Sequence, residues 1–231
     1  MSNFVIVLGS SGTGKSTSIK TLNPNETVIL NVLGKDLPFK GSRASYSQEK
    51  KNLFVVNKYD TLISYMESMS KNLPTVKNII IDDAIYIMRT EFFDRCKEVG
   101  FNKFNELGDH FRKIIAIGNS LRSDINIFMM LHTETVENDN SVIGYKAATV
   151  GKLLDKMYNP LESVSVTLFS QPKYDDKGKP TFGFYTHPMK VNGIEIPAKS
   201  PDGMFEEDFI SNDLQLVVTK MNEYYGVSKA A

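Results

Sequence analysis

An eight-residue stretch near the start of the chain constrains the fold more than any other feature. It reads Gly9-Ser10-Ser11-Gly12-Thr13-Gly14-Lys15-Ser16 and matches the pattern G-x-x-x-x-G-K-[ST] at every fixed position. The glycines allow a tight turn whose backbone N–H groups point inward at phosphate oxygens. We expect Lys15 to reach the β- and γ-phosphates and the Ser16 hydroxyl to ligate Mg²⁺. The pattern therefore predicts a nucleoside triphosphate site that extends from Gly9 to Thr17.

The segments on either side of this loop support that interpretation over a chance Gly/Ser turn. Phe4–Leu8 is a continuous apolar run, which predicts a buried strand, and Lys15–Leu22 has the pattern of a helix. The positive N-terminal end of such a helix would add to the attraction for an anion.

Apolar runs alternate with amphipathic stretches over the first 135 residues. Strands are predicted over Phe4–Leu8, Thr27–Asn31, Leu53–Val56, Val76–Ile81 and Ile125–Leu131. Helices are predicted over Asp60–Lys71 and over Ala84–Leu121, with a break near Gly100–Asn102. Continuous apolar strands separated by helices indicate an α/β fold, with a mostly parallel sheet covered by helices on both faces.

The pattern changes after Leu131. His132–Gly151 is polar and is predicted to be a long loop, whereas Ser163–Phe169 and Thr181–Thr186 predict an antiparallel β-hairpin. A short strand over Ile194–Ile196 and a last helix capped by Ser211 or Asn212 follow. We therefore predict a single domain over residues 1–231, with a core over 1–135 and an extension over 136–231.

A second polar motif ends the fourth predicted strand, at Ile79-Ile80-Ile81-Asp82-Asp83. An apolar strand that ends in a carboxylate places Asp82 at the mouth of the sheet, where it can orient a Mg²⁺-bound water. The alternative is that Asp82 caps the next helix. For Asp83 both roles stay open: it either polarises the attacking water or caps the helix that begins near Ala84.

The third motif is His132-Thr133-Glu134, directly after the fifth strand. In a parallel sheet this strand ends at the same edge as the phosphate-binding loop. His132 or Thr133 is expected to contact the γ-phosphate, with Glu134 assisting. The alternative is a solvated transition from strand to loop.

Asn57-Lys58-Tyr59-Asp60 matches the guanine-specificity pattern N-K-x-D. It precedes Asp82, whereas in GTPases the motif follows the metal-binding Asp. We interpret it as a strand end followed by a helix cap, so it does not indicate guanine as the base.

Composition limits the partners. Lys plus Arg and Asp plus Glu both number 27, which argues against a polybasic nucleic-acid coat but allows a local basic patch. The one cysteine, Cys96, allows no intramolecular disulfide. The apolar runs are too short to span a bilayer and no secretory signal is evident, so we expect a cytoplasmic location and no membrane partner.

Together these motifs resemble the RecA-like branch of P-loop ATPases and, more narrowly, small phage-encoded ATP-binding proteins proposed to anneal single strands. The resemblance rests on Gly9–Thr17, Ile79–Asp83, His132–Glu134, Leu37–Gly41 and Ala198–Phe205. It implies ATP and Mg²⁺ as cofactors, ATP hydrolysis, a homo-oligomer, and single-stranded DNA as the partner in phage recombination or replication.

The chain departs from the RecA-like pattern in two ways. Asn31–Asp36 lacks the catalytic Glu usual there, which implies slow hydrolysis or a water-orienting role for Asp83 or Glu134. No arginine follows Arg122 in the sequence to act as a finger, so Lys190 and Lys199 of a neighbouring subunit are the candidates, unless they are ordinary surface lysines.

Two basic clusters are candidates for DNA contact, with ordinary solvated lysines as the alternative. They are Tyr145, Lys146, Lys152 and Lys156, and Lys173, Lys177 and Lys179. Two other functions stay open. One is a non-catalytic, nucleotide-gated assembly factor, and the other is a small-molecule or nucleotide kinase, which the missing arginine-rich lid disfavours.

Overall fold

A computed structural model describes residues 1–150 and 158–226 of the chain. Its strands are β1 (Asn3–Leu8), β2 (Thr27–Asn31), β3 (Leu53–Val55), β4 (Asn78–Asp82), β5 (Asn126–Leu131), β6 (Thr133–Asn138), β7 (Ser141–Ala147), β8 (Val166–Ser170), β9 (Lys173–Tyr174), β10 (Pro180–Thr181), β11 (Gly183–Tyr185), β12 (Met189–Val191), β13 (Ile194–Ile196) and β14 (Phe209–Ser211). Its α-helices are α1 (Ser42–Ser45), α2 (Tyr59–Asn72), α3 (Ile85–Asp94), α4 (Asn102–Ser120) and α5 (Leu214–Tyr224). Two 3-10 helices cover Ser16–Thr21 and Pro160–Ser163.

The central sheet has the strand order β14-β11-β8-β1-β5-β4-β2-β3. The six strands from β8 to β3 are parallel, and β11 and β14 continue the sheet in antiparallel pairing. Strand β5 lies between β1 and β4, so the carboxyl ends of these three strands meet at one edge. The predicted α/β fold with a mostly parallel sheet is confirmed.

Helices cover both faces of this sheet. Alternate residues of β1 enter different cores: Ile6 and Leu8 pack with side chains of α2, α3 and α4, whereas Val5 and Val7 pack with Ile19 and with α5. Strands that are buried on both faces must be apolar throughout, which explains the continuous apolar runs in the sequence.

The long loop predicted over His132–Gly151 is wrong for most of its length. Residues 133–147 form the antiparallel hairpin β6–β7. Its two-residue turn, Asp139-Asn140, has φ values of 47° and 64°, a left-handed conformation that Asp and Asn tolerate better than most residues. The hairpin joins β13 and β12 in a second sheet, and Gly151 lies outside the described residues.

The predicted C-terminal hairpin is present, and it extends the central sheet because β8 pairs in parallel with β1. Two local predictions need correction. The stretch after the phosphate-binding loop forms a six-residue 3-10 helix in place of the longer helix Lys15–Leu22. Asp213, and neither Ser211 nor Asn212, caps the last helix, because its carboxylate accepts from the Leu216 N–H at 3.0 Å.

Candidate functional site

The carboxyl ends of β1, β5 and β4 bring three sequence motifs to one place. A cleft of about 250 Å³ at this edge is lined by Lys15 and Ser16 after β1, by Asp82 and Asp83 at the end of β4, and by His132 directly after β5. The three motifs are far apart in the sequence, and the adjacency of β1, β5 and β4 in the sheet brings them together.

The phosphate-binding loop (residues 9–16) is held from its outer side. The Thr13 carbonyl accepts from Ser170 Oγ at 2.8 Å, and the Gly14 carbonyl accepts from Asn212 Nδ2 at 3.1 Å. Within the described residues, the N–H groups of residues 12–15 donate to no protein acceptor. With its carbonyls engaged outside, the loop keeps these N–H groups for an anion.

Neither Ser170 nor Asn212 carries a local signal that marks it as a partner of this loop. Both come from the last third of the chain, and only the pairing of β8 with β1 and of β14 with β11 brings them there.

Lys15 is buried beneath the loop. Its Nζ donates to the Gly9 and Ser10 carbonyls, both at 2.7 Å. The pKa of Lys15 is lowered to about 8, and loss of hydration on burial is the largest cause; the charges of Asp82 and Asp83 oppose this shift, and the charge of Lys35 adds to it. The two carbonyl oxygens carry only partial negative charge, so a phosphate beside the ammonium group of Lys15 would stabilise its positive charge further.

The Ser16 hydroxyl donates to Asp82 Oδ1 at 2.8 Å. Burial, the largest cause, raises the pKa of Asp82, while the hydrogen bond from Ser16 lowers it. A hydroxyl and a buried carboxylate oxygen are the hard oxygen donors that Mg²⁺ prefers, and a cation there would relieve the cost of the buried charge. These two residues therefore fit the Mg²⁺ role predicted for them.

Asp83 adopts a left-handed backbone conformation, with φ at 57°, and its carboxylate enters the cleft. His132 Nε2 lies 3.1 Å from Oδ1 and Lys35 Nζ donates to Oδ2 at 3.1 Å, and the His132 contact is the largest cause that holds the pKa of Asp83 below its usual value. The alternative that the Asp83 side chain caps the next helix is wrong, because α3 begins after Ala84 and no side chain caps its N-terminus.

Thr133 and Glu134 follow His132 on β6 and point to opposite faces of that strand. Thr133 Oγ1 lies 3.0 Å from Ser10 Oγ, which joins the hairpin to the phosphate-binding loop. Glu134 pairs with Lys146 at 3.5 Å and is not among the residues that line the cleft. Its assisting role stays a prediction.

Several other predicted residues have partners outside the cleft. Lys190 pairs with Glu195 at 3.4 Å, and Lys199 exchanges two backbone hydrogen bonds with Thr167. The Tyr145 ring packs on Phe169 with the ring centroids 5.1 Å apart.

Of the remaining predicted DNA contacts, Lys173 Nζ lies 4.1 Å from the centroid of the Phe209 ring. Lys177 and Lys179 are exposed, whereas Lys152 and Lys156 lie outside the described residues. Asn57–Asp60 follows β3 at the far edge of the sheet and enters α2, as the interpretation of this segment as a strand end and helix start predicts.

Lys35 lines the cleft and was not among the predicted site residues. The signal available in the sequence is Asn31-Val32-Leu33-Gly34-Lys35, in which an Asn ends a buried strand and a Gly follows three residues later. That pattern indicates a tight turn at the same sheet edge as Asp82.

The family model described as an AAA domain matches residues 2–184, which is most of the chain. No curated protein is similar enough to the chain to count as a match. None of the helices in residues 1–150 and 158–226 combines the length and apolarity needed to cross a bilayer.

Proposed function

The chain belongs to the AAA domain family, a P-loop ATPase type of family, and we propose that it binds ATP with Mg²⁺ in this cleft and hydrolyses the nucleotide. One observation carries the proposal. One cleft is faced by the loop with Lys15, by the Ser16–Asp82 pair and by the Asp83–His132 pair. Hydrolysis of a bound triphosphate needs a cation, a metal site and a water-orienting carboxylate in one place.

In this proposal each residue has a separate role. The loop N–H groups and Lys15 bind the β- and γ-phosphates, and Ser16 and Asp82 hold Mg²⁺, which neutralises charge on the phosphate oxygens. Asp83, oriented by His132, accepts a hydrogen bond from the attacking water and fixes its direction. A single orienting carboxylate, with no Glu in Asn31–Asp36, agrees with slow turnover.

The direct test compares Lys15→Ala with Lys20→Ala, which removes an exposed lysine from the 3-10 helix that follows Lys15. We expect Lys15→Ala to abolish detectable Mg²⁺–ATP binding in calorimetry and phosphate release in a turnover assay, and Lys20→Ala to keep both. A wild-type protein that ignores ATP overturns the proposal. Binding without turnover above Lys15→Ala would instead favour the nucleotide-gated assembly factor.

We further propose that the bound nucleotide controls an oligomer that grips single-stranded DNA, as the resemblance to phage annealing proteins implies. Support comes from the tip of the C-terminal hairpin, where Tyr174 and Phe182 are 67% and 42% exposed and lie near the exposed Lys177 and Lys179 in sequence. Exposed aromatic rings and cations suit stacked bases and phosphates. A Cβ placed on Gly14 would lie 3.3 Å from Phe182 Cδ1, so this surface adjoins the phosphate-binding loop.

The DNA proposal is tested by fluorescence anisotropy of a labelled single-stranded oligonucleotide with ATP, with ADP and without nucleotide. We expect the double variant Lys177→Glu/Lys179→Glu to weaken ATP-dependent binding, and Lys58→Glu/Lys71→Glu, a matched charge change on α2 and its preceding residue, to leave it unchanged. Light scattering with and without ATP measures the oligomer. No DNA binding in any nucleotide state would refute this part alone.

A further inference from the structure

We propose that Lys35 is a second phosphate-binding cation, supplied by the same chain, that contacts the terminal phosphate of the bound nucleotide and stabilises the charge that develops during hydrolysis. The inference rests on the proposed ATPase function. It places in this subunit a role that the sequence had assigned to lysines of a neighbour.

The backbone of Lys35 is fixed by the end of β2. Buried Asn31 accepts from the Gly34 N–H at 2.8 Å and donates its amide to the Lys35 carbonyl at 2.6 Å. Gly34 has a φ of 67°, which completes the tight turn. Because Asn31 is paired in register with Asp82 on β4, this turn is held directly beside the proposed metal site.

The side chain of Lys35 is held less firmly than its backbone. It is 61% exposed, and its Nζ donates to Asp83 Oδ2 and lies 5.6 Å from the centroid of the Tyr86 ring. A flexible stem anchored at a fixed Cα can move its ammonium group over a few ångströms within the cleft. The contact with Asp83 keeps it there before a phosphate arrives.

The carboxylate that follows Lys35 in sequence is engaged by another residue. The next residue, Asp36, also lines the cleft, but both of its carboxylate oxygens accept from Arg43, at 3.0 and 2.5 Å. Because Asp36 pairs with Arg43, Lys35 pairs with Asp83 inside the cleft and keeps its ammonium group at the site. Lys15 supplies a charge below the loop and Lys35 supplies one from the opposite wall.

The chemical step needs no proton from Lys35. The water oxygen forms a bond to the γ-phosphorus, the bond from that phosphorus to the β–γ bridging oxygen breaks, and ADP leaves with the electron pair. The water gives up one proton to solvent, and inorganic phosphate is released. Lys35 remains an ammonium group throughout and donates hydrogen bonds to γ-phosphate oxygens as their charge grows.

The test measures turnover and separate affinities for ATP and ADP in Lys35→Ala, Lys35→Arg and Lys40→Ala. Lys40 is an exposed lysine of the same loop that does not line the cleft. We expect Lys35→Ala to lower kcat and the preference for ATP over ADP by roughly 10- to 100-fold, as the loss of a charged hydrogen bond predicts. Lys35→Arg should recover part of both, and Lys40→Ala should match the wild type. Thermal unfolding checks that each variant is folded.

The outcomes separate the two proposals. A wild-type protein that binds no ATP refutes the proposed function, whereas wild-type turnover that Lys35→Ala leaves unchanged refutes the role of Lys35 alone. If the protein binds ATP without hydrolysing it, the ATP-over-ADP preference still decides. The ATP-over-ADP preference is also measured in Asp83→Asn protein with and without Lys35→Ala. If Lys35→Ala leaves the preference unchanged in that protein, Lys35 acts only by neutralising Asp83, and the proposal is overturned.

Discussion

The Asp83 carboxylate and the His132 imidazole meet across the cleft, with Nε2 3.1 Å from Oδ1. Because the pKa of Asp83 is lowered, its carboxylate is ionised and accepts this hydrogen bond from Nε2. The adjacent Asp82 has a raised pKa because of burial. Two consecutive carboxylates thus have opposite environments, one suited to a cation and one to a water.

This contrast predicts the effect of Asp83→Asn. Asn tolerates the left-handed backbone of residue 83, so the fold should persist. The Asn amide is uncharged and has one acceptor oxygen in place of two, so it should orient the attacking water less well than the carboxylate does. We expect kcat to fall by about 100-fold or more, with the Kd for Mg²⁺–ATP changed little. Calorimetry and single-turnover phosphate release measure the two quantities.

The same experiment has a clear opposite outcome. If Asp83→Asn turned over ATP at the wild-type rate, the water-orienting role would pass to another acceptor such as Glu134. Glu134→Gln is then the informative companion variant. Neither Glu134 nor its ion-pair partner Lys146 lines the cleft, so this substitution should leave the cleft intact.

The Ser16–Asp82 pair predicts a selective metal defect. Ser16→Ala removes one of two oxygen donors that lie 2.8 Å apart, so we expect the Mg²⁺ concentration for half-maximal turnover to rise about 10- to 100-fold. Ser16→Thr keeps the hydroxyl and should behave almost as the wild type. A Mg²⁺ titration of phosphate release measures this, and equal curves for Ser16→Ala and the wild type would remove Ser16 from the metal site.

The sequence predicted the part of the fold that depends on local patterns. Continuous apolar runs identified the buried strands, and strand ends located Lys15, Asp82 and His132 at one edge. The hairpin β6–β7 was missed because its polar strands, for example Thr133–Asn138, lack the apolar alternation of a half-buried strand. The Asp139-Asn140 turn was the one local signal for it.

The missing part of the site depends on contacts distant in sequence. Asn212 reaches Gly14 across 198 residues, and Lys35 reaches Asp83 across 48. Neither residue belongs to a motif with fixed spacing, so only the order of strands in the sheet could bring them together. Motif reasoning finds the loop and the strand-end carboxylates, but it does not find groups such as Asn212 and Lys35, which the strand order brings to them.

Two glycines of the phosphate-binding loop should respond differently to Ala. Gly12 has a φ of 79° with open space around a new Cβ, so Gly12→Ala should cost about 1–2 kcal/mol of stability from backbone strain alone. Gly14 has a φ of 100°, and its Cβ would lie 2.5 Å from Asn212 Nδ2, so Gly14→Ala should cost more. Urea unfolding measures both. Equal losses would mean that Asn212 moves aside freely.

A row of three amide side chains and one hydroxyl crosses the opposite edge of the sheet. Asn126 on β5 accepts from Asn3 Nδ2 at 2.9 Å and donates to Asn78 Oδ1 at 3.1 Å, and Asn78 Nδ2 donates to Thr27 Oγ1 at 3.3 Å. The four residues are register partners on neighbouring strands β1, β5, β4 and β2. A one-residue slip of any strand would break the row, so it favours the register that aligns the site residues at the other edge.

Removing the centre of this row should be costly. Asn126→Ala leaves the buried Asn78 amide and the part-buried Asn3 amide without their shared partner, and we expect a loss of about 3 kcal/mol in the free energy of unfolding. The control is Asn72→Ala, because Asn72 is exposed on α2 and its amide donates to the nearby Ser68 hydroxyl at 3.2 Å, so its loss should stay within about 0.5 kcal/mol. Urea denaturation gives both values. An Asn126→Ala loss as small as that of Asn72→Ala would show that water replaces these hydrogen bonds without cost and that apolar packing alone sets the strand register.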